Sequence, residues 1–171
     1  MSNNKIKSEG VNIKSHRLSK KEIEDNFSDL HSPLTPIEAL IEADRCYFCY
    51  DAPCTKACPS DIDVPGFIQS IRSDNLTGAA EKILSENIFG GMCARDCPTE
   101  ELCQQACVRN DHEDKPVEIG LLQRFATDSV LDNGVKLFSR KKDTGKSIAV
   151  VGAGPAGISC AHRLSVLGHN I

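Results

Sequence analysis

Along this chain apolar residues recur three or four positions apart, in short blocks from residue 34 to about 131, the spacing of helices that each bury one side. Thr35, Pro36 and Glu38 mark the first start: a threonine cap, proline at the first helical position and a glutamate placed to close a capping box. That helix, 36–44, is expected to turn Ile37, Leu40 and Ile41 to one buried face and to deliver the chain directly to Cys46. A second, capped by an aspartate, carries Val64, Phe67, Ile68 and Ile71. A third, 77–85, carries Ala80, Ile83 and Leu84 inward, and Asn87 with Gly90-Gly91 is expected to end it. Residues 97–107 read as a turn followed by a helix capped by Thr99, with Cys103 and Cys107 four apart on one face. The strongest pattern spans 116–131, where Ile119, Leu122, Ala126 and Val130 form the stripe, Phe125 lies beside it and Gln123 falls within it. A glutamine there needs a partner, ordinarily a backbone group or water. No segment of this region alternates as a strand does, so a mainly α, compact helical domain with little aromatic core is expected.

The flanks read differently. Residues 1–33 are rich in Lys, Ser, Asn, Glu and Asp with Phe27 as the one aromatic, a polar arm expected to be solvated and partly disordered, with room for a short helix over about 19–30. Residues 133–146 hold Asn133-Gly134, the basic run Arg140-Lys141-Lys142 and Gly145, the make-up of a connector with a solvated surface. From 147 the pattern changes. Ser147 to Val151 predicts a short apolar strand, Gly152-Ala153-Gly154-Pro155-Ala156-Gly157 a turn, and 158–168 a helix with Ala161 and Leu164 inward; a second strand is due at 168–171. The organisation expected is an arm over 1–33, a helical domain over 34–132, a linker over 133–146, and over 147–171 the first strand, turn and helix of an incomplete Rossmann-type nucleotide domain.

Charge narrows the partners. A formal net charge of −4 over 171 residues does not suggest nucleic acid or an anionic membrane. No apolar run approaches the roughly 18 residues of a membrane span, and no apolar segment follows the basic opening residues as in a secretory signal. A cytoplasmic protein is expected, in a compartment where thiols stay reduced and clustered cysteines serve metal or redox chemistry.

The cysteines carry that chemistry. Cys46, Cys49, Cys54 and Cys58-Pro59 stand at gaps of two, four and three residues, close to the spacing by which ferredoxins hold iron–sulfur clusters; Cys93, Cys97-Pro98, Cys103 and Cys107 follow. Eight thiols suit two four-iron clusters, and counting alone would use Cys93 among them. By the ferredoxin rule Cys46, Cys49 and Cys54 share one cluster with a distant fourth ligand, and Cys58 opens the second. A structural zinc domain is the alternative of another class, but zinc favours paired knuckles two residues apart and only Cys46 and Cys49 form one. Cys160 reads as packing. The glycines of 152–157, between a predicted strand and a helix, let backbone and helix N-terminus approach a dinucleotide pyrophosphate.

The cysteine runs at 46–59 and 93–107, the run Pro116-Val-Glu-Ile-Gly-x-Leu-Gln-Arg-Phe125 and the glycine turn, in this order, resemble the flavin-dependent iron–sulfur oxidoreductases related to the glutamate synthase small subunit, and within them the dihydropyrimidine dehydrogenase branch. The resemblance implies an α-helical ferredoxin-like domain with Cys46, Cys49, Cys54 and Cys107 on one [4Fe-4S] cluster, and Cys58, Cys97, Cys103 and Gln123 on the other. Cys93 is then spare, against the arithmetic. It further implies an FAD at Gly152, Ala153, Gly154, Pro155, Ala156 and Gly157, reduced by NAD(P)H, with electrons passing through both clusters to a second flavin that reduces a pyrimidine. The gap of five between Cys97 and Cys103, and glutamine rather than glutamate at 123, resemble this branch more than the glutamate synthase small subunit, which stays as the alternative electron-input reading. The partners implied are the rest of the FAD/NAD(P)H domain and a catalytic flavin-containing subunit or domain. No residue here supplies a general acid, a base or a substrate pocket, so the chain alone is expected not to turn over.

Overall fold

The computed structural model describes residues 18–113 and 115–171. Most of the expected polar arm, residues 1–17, therefore lies outside the described residues. Contacts divide the chain into two units, at Ser32 and Pro33. In the first, helix α1 (Lys20–Asn26) is opened by a Ser19–Glu22 capping box and buries none of its residues.

In the second unit the caps legible in the sequence do their work. Helix α2 (Pro36–Asp44) begins with the Thr35–Glu38 box, the Glu38 amide donating to Thr35 Oγ1 at 3.3 Å and the Thr35 amide to Glu38 Oε2 at 2.8 Å. A short α3 (Pro53–Lys56) follows; α4 (Val64–Arg72) is capped by Asp63, which accepts from the Gly66 amide at 3.0 Å, and α5 (Leu76–Glu86) by Asn75. After these come α6 (Gly90–Asp96), a 3-10 turn (Thr99–Glu101), α7 (Asn110–Glu113), α8 (Ile119–Asp132) and α9 (Pro155–Val166).

The core lies where α2, α4, α5 and α8 meet. Phe67, Ile68 and Ile71 of α4 pack with Ala79 and Ile83 of α5 and with Ile119, Leu122 and Ala126 of α8. Burying each large side chain there is worth roughly 1.5–3 kcal/mol. Cys103 belongs to this core, and Cys46, Cys54, Cys58 and Cys107 pack against it. A smaller cluster of Ala80, Leu84 and Val130 takes in Leu137 and Phe138, and the Phe138 ring meets His162 of α9 edge-on at 5.0 Å.

The structure corrects several expectations. Helix α2 buries Ala39 and Ala43, while Ile37 (72 % exposed), Ile41 (62 %) and Leu40 (45 %) face outward, because the close α2–α4 packing admits only small side chains. Gly90 and Gly91 do not end α5; they open α6. Residues 99–107 form no α-helix: the 3-10 turn covers Thr99–Glu101 and turns follow, since Leu102 (φ −120°, ψ −105°) leaves helical space. Helix α8 starts at Ile119, with Pro116 in the extended approach.

The predicted strand over 147–151 is not formed, and no strand occurs among the described residues. A strand needs a neighbour to pair with, and Ser147 makes only an isolated parallel bridge to Asn170. The Ile148 amide donates to the Asn170 carbonyl at 2.8 Å and the Asn170 amide to that of Lys146 at 3.0 Å. Helix α9 has no sheet beneath it and buries none of its residues: Ala161 and Leu164 are half-buried, and Cys160, expected as packing, is exposed. No helix among the described residues is long and apolar enough to cross a membrane.

Candidate functional site

The first cysteine loop is bent by two non-glycine residues in left-handed conformations, Phe48 (φ 52°) and Ala52 (φ 40°). These bends fold 46–58 back over α4, where Thr55 Oγ1 accepts from the Val64 amide at 3.1 Å. As a result Cys46, Cys49 and Cys54 line one hollow together with Cys107, from a segment far along the chain. Val64, Ile68, Val117 and Ile119 form its apolar wall.

Two arginines adjoin those cysteines in sequence, and one of them, Arg109, lines the hollow. Arg45 donates to the carbonyls of Lys115 (2.8 Å) and Pro116 (2.9 Å) and pairs with Glu42 and Glu113, tying the end of α2 to the approach of α8. The Arg45 guanidinium holds the Glu113 carboxyl below the usual carboxylate range. Arg109 lies 4.0 Å over the Tyr47 ring, donates to the Arg45 carbonyl and pairs with Glu113. Inside, the Phe48 amide donates to Cys46 Sγ at 3.4 Å. Burial pushes the Cys46 thiol up, and Cys54 up to about 11, with the neighbouring thiols adding to the effect.

Within the second expected set, Cys58 and Cys97 lie near enough to Cys103 to act on its thiol. Cys103 is pushed up to about 12, by burial first and then by Cys58 and Cys97; Cys97 is raised by burial, then by Cys93 and Cys58. Cys103 also feels Cys54, so the two sets adjoin. Gln123 is buried on α8, and its Nε2 donates to the Gly90 carbonyl at 2.7 Å. A carbonyl only accepts, so the amide nitrogen is fixed on that side and Oε1 is turned away from it. The contact is with the first residue of α6 rather than with the sulfurs; α6 ends at Cys97 and is pinned to α8 by Arg95, which pairs with Asp128 at 2.9 Å.

Cys93 lies one turn before Cys97, its Sγ accepting from Asn87 Nδ2 at 3.2 Å. In the sequence Asn87 was read only as part of a helix end, and Arg45 and Arg109 were not singled out, although adjacency to Cys46 and nearness to Cys107 marked the two arginines. Among the described residues no three His, Cys, Asp or Glu side chains come close enough to hold a single metal ion. The donor set suits a cluster better: thiols spaced around an apolar hollow, where a cubane is gripped at separate corners.

The glycine turn has the backbone its motif requires. Gly152 has φ +113°, and a Cβ at Gly157 would lie 2.1 Å from the Gly152 carbonyl oxygen. At Gly154, before Pro155 opens α9, a Cβ would meet nothing within 4 Å, so that face is free for close approach. Pro155, Ala156 and Ser159 share a cleft with Cys93 and Cys97, which puts the turn beside the second thiol set.

Residues 23–135 match the sequence model of the family described as dihydropyrimidine dehydrogenase domain II, 4Fe-4S cluster. The chain is similar to the NAD-dependent dihydropyrimidine dehydrogenase subunit PreT of Salmonella typhimurium (43 % identity over 149 residues, 86 % of this chain and 36 % of the relative) and of Escherichia coli K12 (42 %, with the same shares). It thus spans about a third of the length of the curated relatives it matches. With its family match covering most of the cysteine-bearing region, the chain belongs to the family of dihydropyrimidine dehydrogenase domain II, the 4Fe-4S cluster domain.

Proposed function

We propose that the chain is the electron-transfer segment of an NAD(P)H-dependent dihydropyrimidine dehydrogenase, with Cys46, Cys49, Cys54 and Cys107 holding one [4Fe-4S] cluster and Cys58, Cys97, Cys103 and Gln123 a second. The observation that carries it is the hollow in which thiols from the first loop meet Cys107 against an apolar wall. When bound, the clusters supply one-electron carriers between an FAD reduced by NAD(P)H and the flavin of a pyrimidine-reducing partner subunit or domain.

The protein side of that task falls to named groups. Arg109, stacked on Tyr47 at the lining of the first site, sets positive charge beside its thiolates, and Arg45 ties the end of α2 to the approach of α8 behind them. The Phe48 amide donates to a ligand sulfur, which favours the reduced state. At the second site Gln123 supplies a neutral oxygen where a thiolate would add charge, and the Gly90 carbonyl fixes which end of the amide is offered. The glycine turn, open at Gly154 and beside Cys97, is where the pyrophosphate of the FAD that feeds the clusters would sit.

Anaerobic reconstitution with iron and sulfide tests the reading. A brown protein with about eight irons and eight sulfides, whose absorbance bleaches on reduction and which then gives an electron paramagnetic resonance signal, is the expected result. A colourless protein that takes up zinc stoichiometrically and no sulfide would falsify it.

A further inference from the structure

The two sites differ in the charge that faces their sulfurs. Arg109 is the one cationic side chain among the described residues that line the first hollow. It is only 14 % exposed, so water screens its charge in part. Three groups fix it there: the Arg45 carbonyl accepts from its Nε, its guanidinium lies 4.0 Å over the Tyr47 ring, and Glu113 pairs with it. His112 meets the same ring edge-on at 6.3 Å and steadies that platform. Arg45, by contrast, directs its donors to Glu42, Glu113 and two backbone carbonyls, and does not line the hollow. Burial first, and then Cys107 and Cys49, push the Cys46 thiol up, while the Phe48 amide and the Arg109 charge pull it down. At the second site the sign is reversed: Cys97 is raised by burial, then by Cys93, Cys58 and the Glu100 carboxylate.

We propose that Arg109 sets the reduction potential of the first site, holding it above the value its four thiolates alone would give, and that Glu113 limits the effect as a counter-charge. This rests on the two-cluster reading above. Reduction of such a cluster adds one electron and one negative charge, with no bond made or broken, and a fixed cation beside it favours the reduced form. The Glu113 carboxylate, 40 % exposed, offsets part of that cation. The two members of one ion pair therefore move the potential in opposite senses, which a purely structural tie would not do.

The test is a redox titration of the full chain, reconstituted anaerobically and poised with dithionite, with the paramagnetic resonance signal of each site read against potential. The first site's signal is the one lost in Cys46→Ala. Arg109→Gln is expected to lower the reduced-to-oxidised ratio of the first site about tenfold at a fixed poise, about 59 mV for a one-electron couple. Arg109→Lys keeps the charge and is expected to restore most of that shift. Glu113→Gln is expected to shift the first site upward, and the second site to move less in every variant. An unchanged potential in Arg109→Gln, an equal loss in Arg109→Lys, or the same sign for Arg109→Gln and Glu113→Gln overturns the role and leaves the two-cluster reading standing. Should Arg109→Gln fail to take up iron, the exposed Glu113→Gln decides: a first-site potential that falls or stays overturns the role, and one that rises supports it. A wild-type chain that takes up no iron and sulfide removes the two-cluster reading and this inference with it.

Discussion

At Gly90 a side chain has no room. A Cβ there would lie 2.3 Å from Ile83 Cγ2, and at Gly91 one would stand 3.3 Å from Thr127 Oγ1. Gly90→Ala is therefore an overpacking substitution, expected to cost about 1–3 kcal/mol and to lower the urea midpoint at unchanged slope, with Gly91→Ala costing less. Equal, negligible effects from both would mean that α6 does not pack as described. Gly90 also offers its carbonyl to Gln123, so the same substitution should disturb the spectrum of the second site more than that of the first. In the sequence this glycine pair reads as a helix end, since that is where two glycines most often stand. Close approach of α6 to α5 and α8 is a tertiary fact with no local signature. The cysteines were legible by contrast, because the chemistry needs those residue types at short spacings. Asn87 carries no such signature and the two arginines only their nearness to a cysteine, so the fold alone shows what they hold.

Among the elements, those with their own caps were legible and those that depend on neighbours were not. Thr35 and the aspartate before Val64 announce α2 and α4 because a cap acts within four residues, whereas the Asn75 cap of α5 was not read from the sequence. The 147–151 segment has the composition of a strand, yet makes one bridge, since pairing is a property of two segments. For α2 the start was readable but the buried side was not: periodicity marks an apolar face, and the packing distance to α4 chooses the alanines instead. Ala43→Leu is accordingly expected to destabilise by about 1–3 kcal/mol, while Ile37→Ser stays within about 0.5 kcal/mol. The reverse order in chemical denaturation would restore the face read from the sequence. The segment from 99 to 107 fails as a helix at Leu102, and that break lets Cys103 enter the core while Cys107 reaches the hollow.

Taken whole, the helical unit has two kinds of support. The core among α4, α5 and α8 is built mainly from fully buried aliphatic residues and Phe67, with the cysteines at its edge. The loops over 46–61 and 93–113 instead hold half-buried thiols, strained backbone at Phe48 and Ala52, and a few polar ties at their edges such as Arg45 to Lys115 and Asn87 to Ser60. Ligand bonds formed on loading contribute to the folding of those loops, so metal removal should act on them first. Hydrogen exchange followed by mass spectrometry checks this on loaded and chelator-stripped protein. Amides over 46–61 and 93–113 are expected to lose at least tenfold in protection, and those of α4, α5 and α8 to change little. Uniform loss across the unit would mean that the clusters hold up the core itself. No loss anywhere would mean that the loops are fully formed without metal, and that the apolar residues and arginine ties around the hollow suffice to preorganise the site.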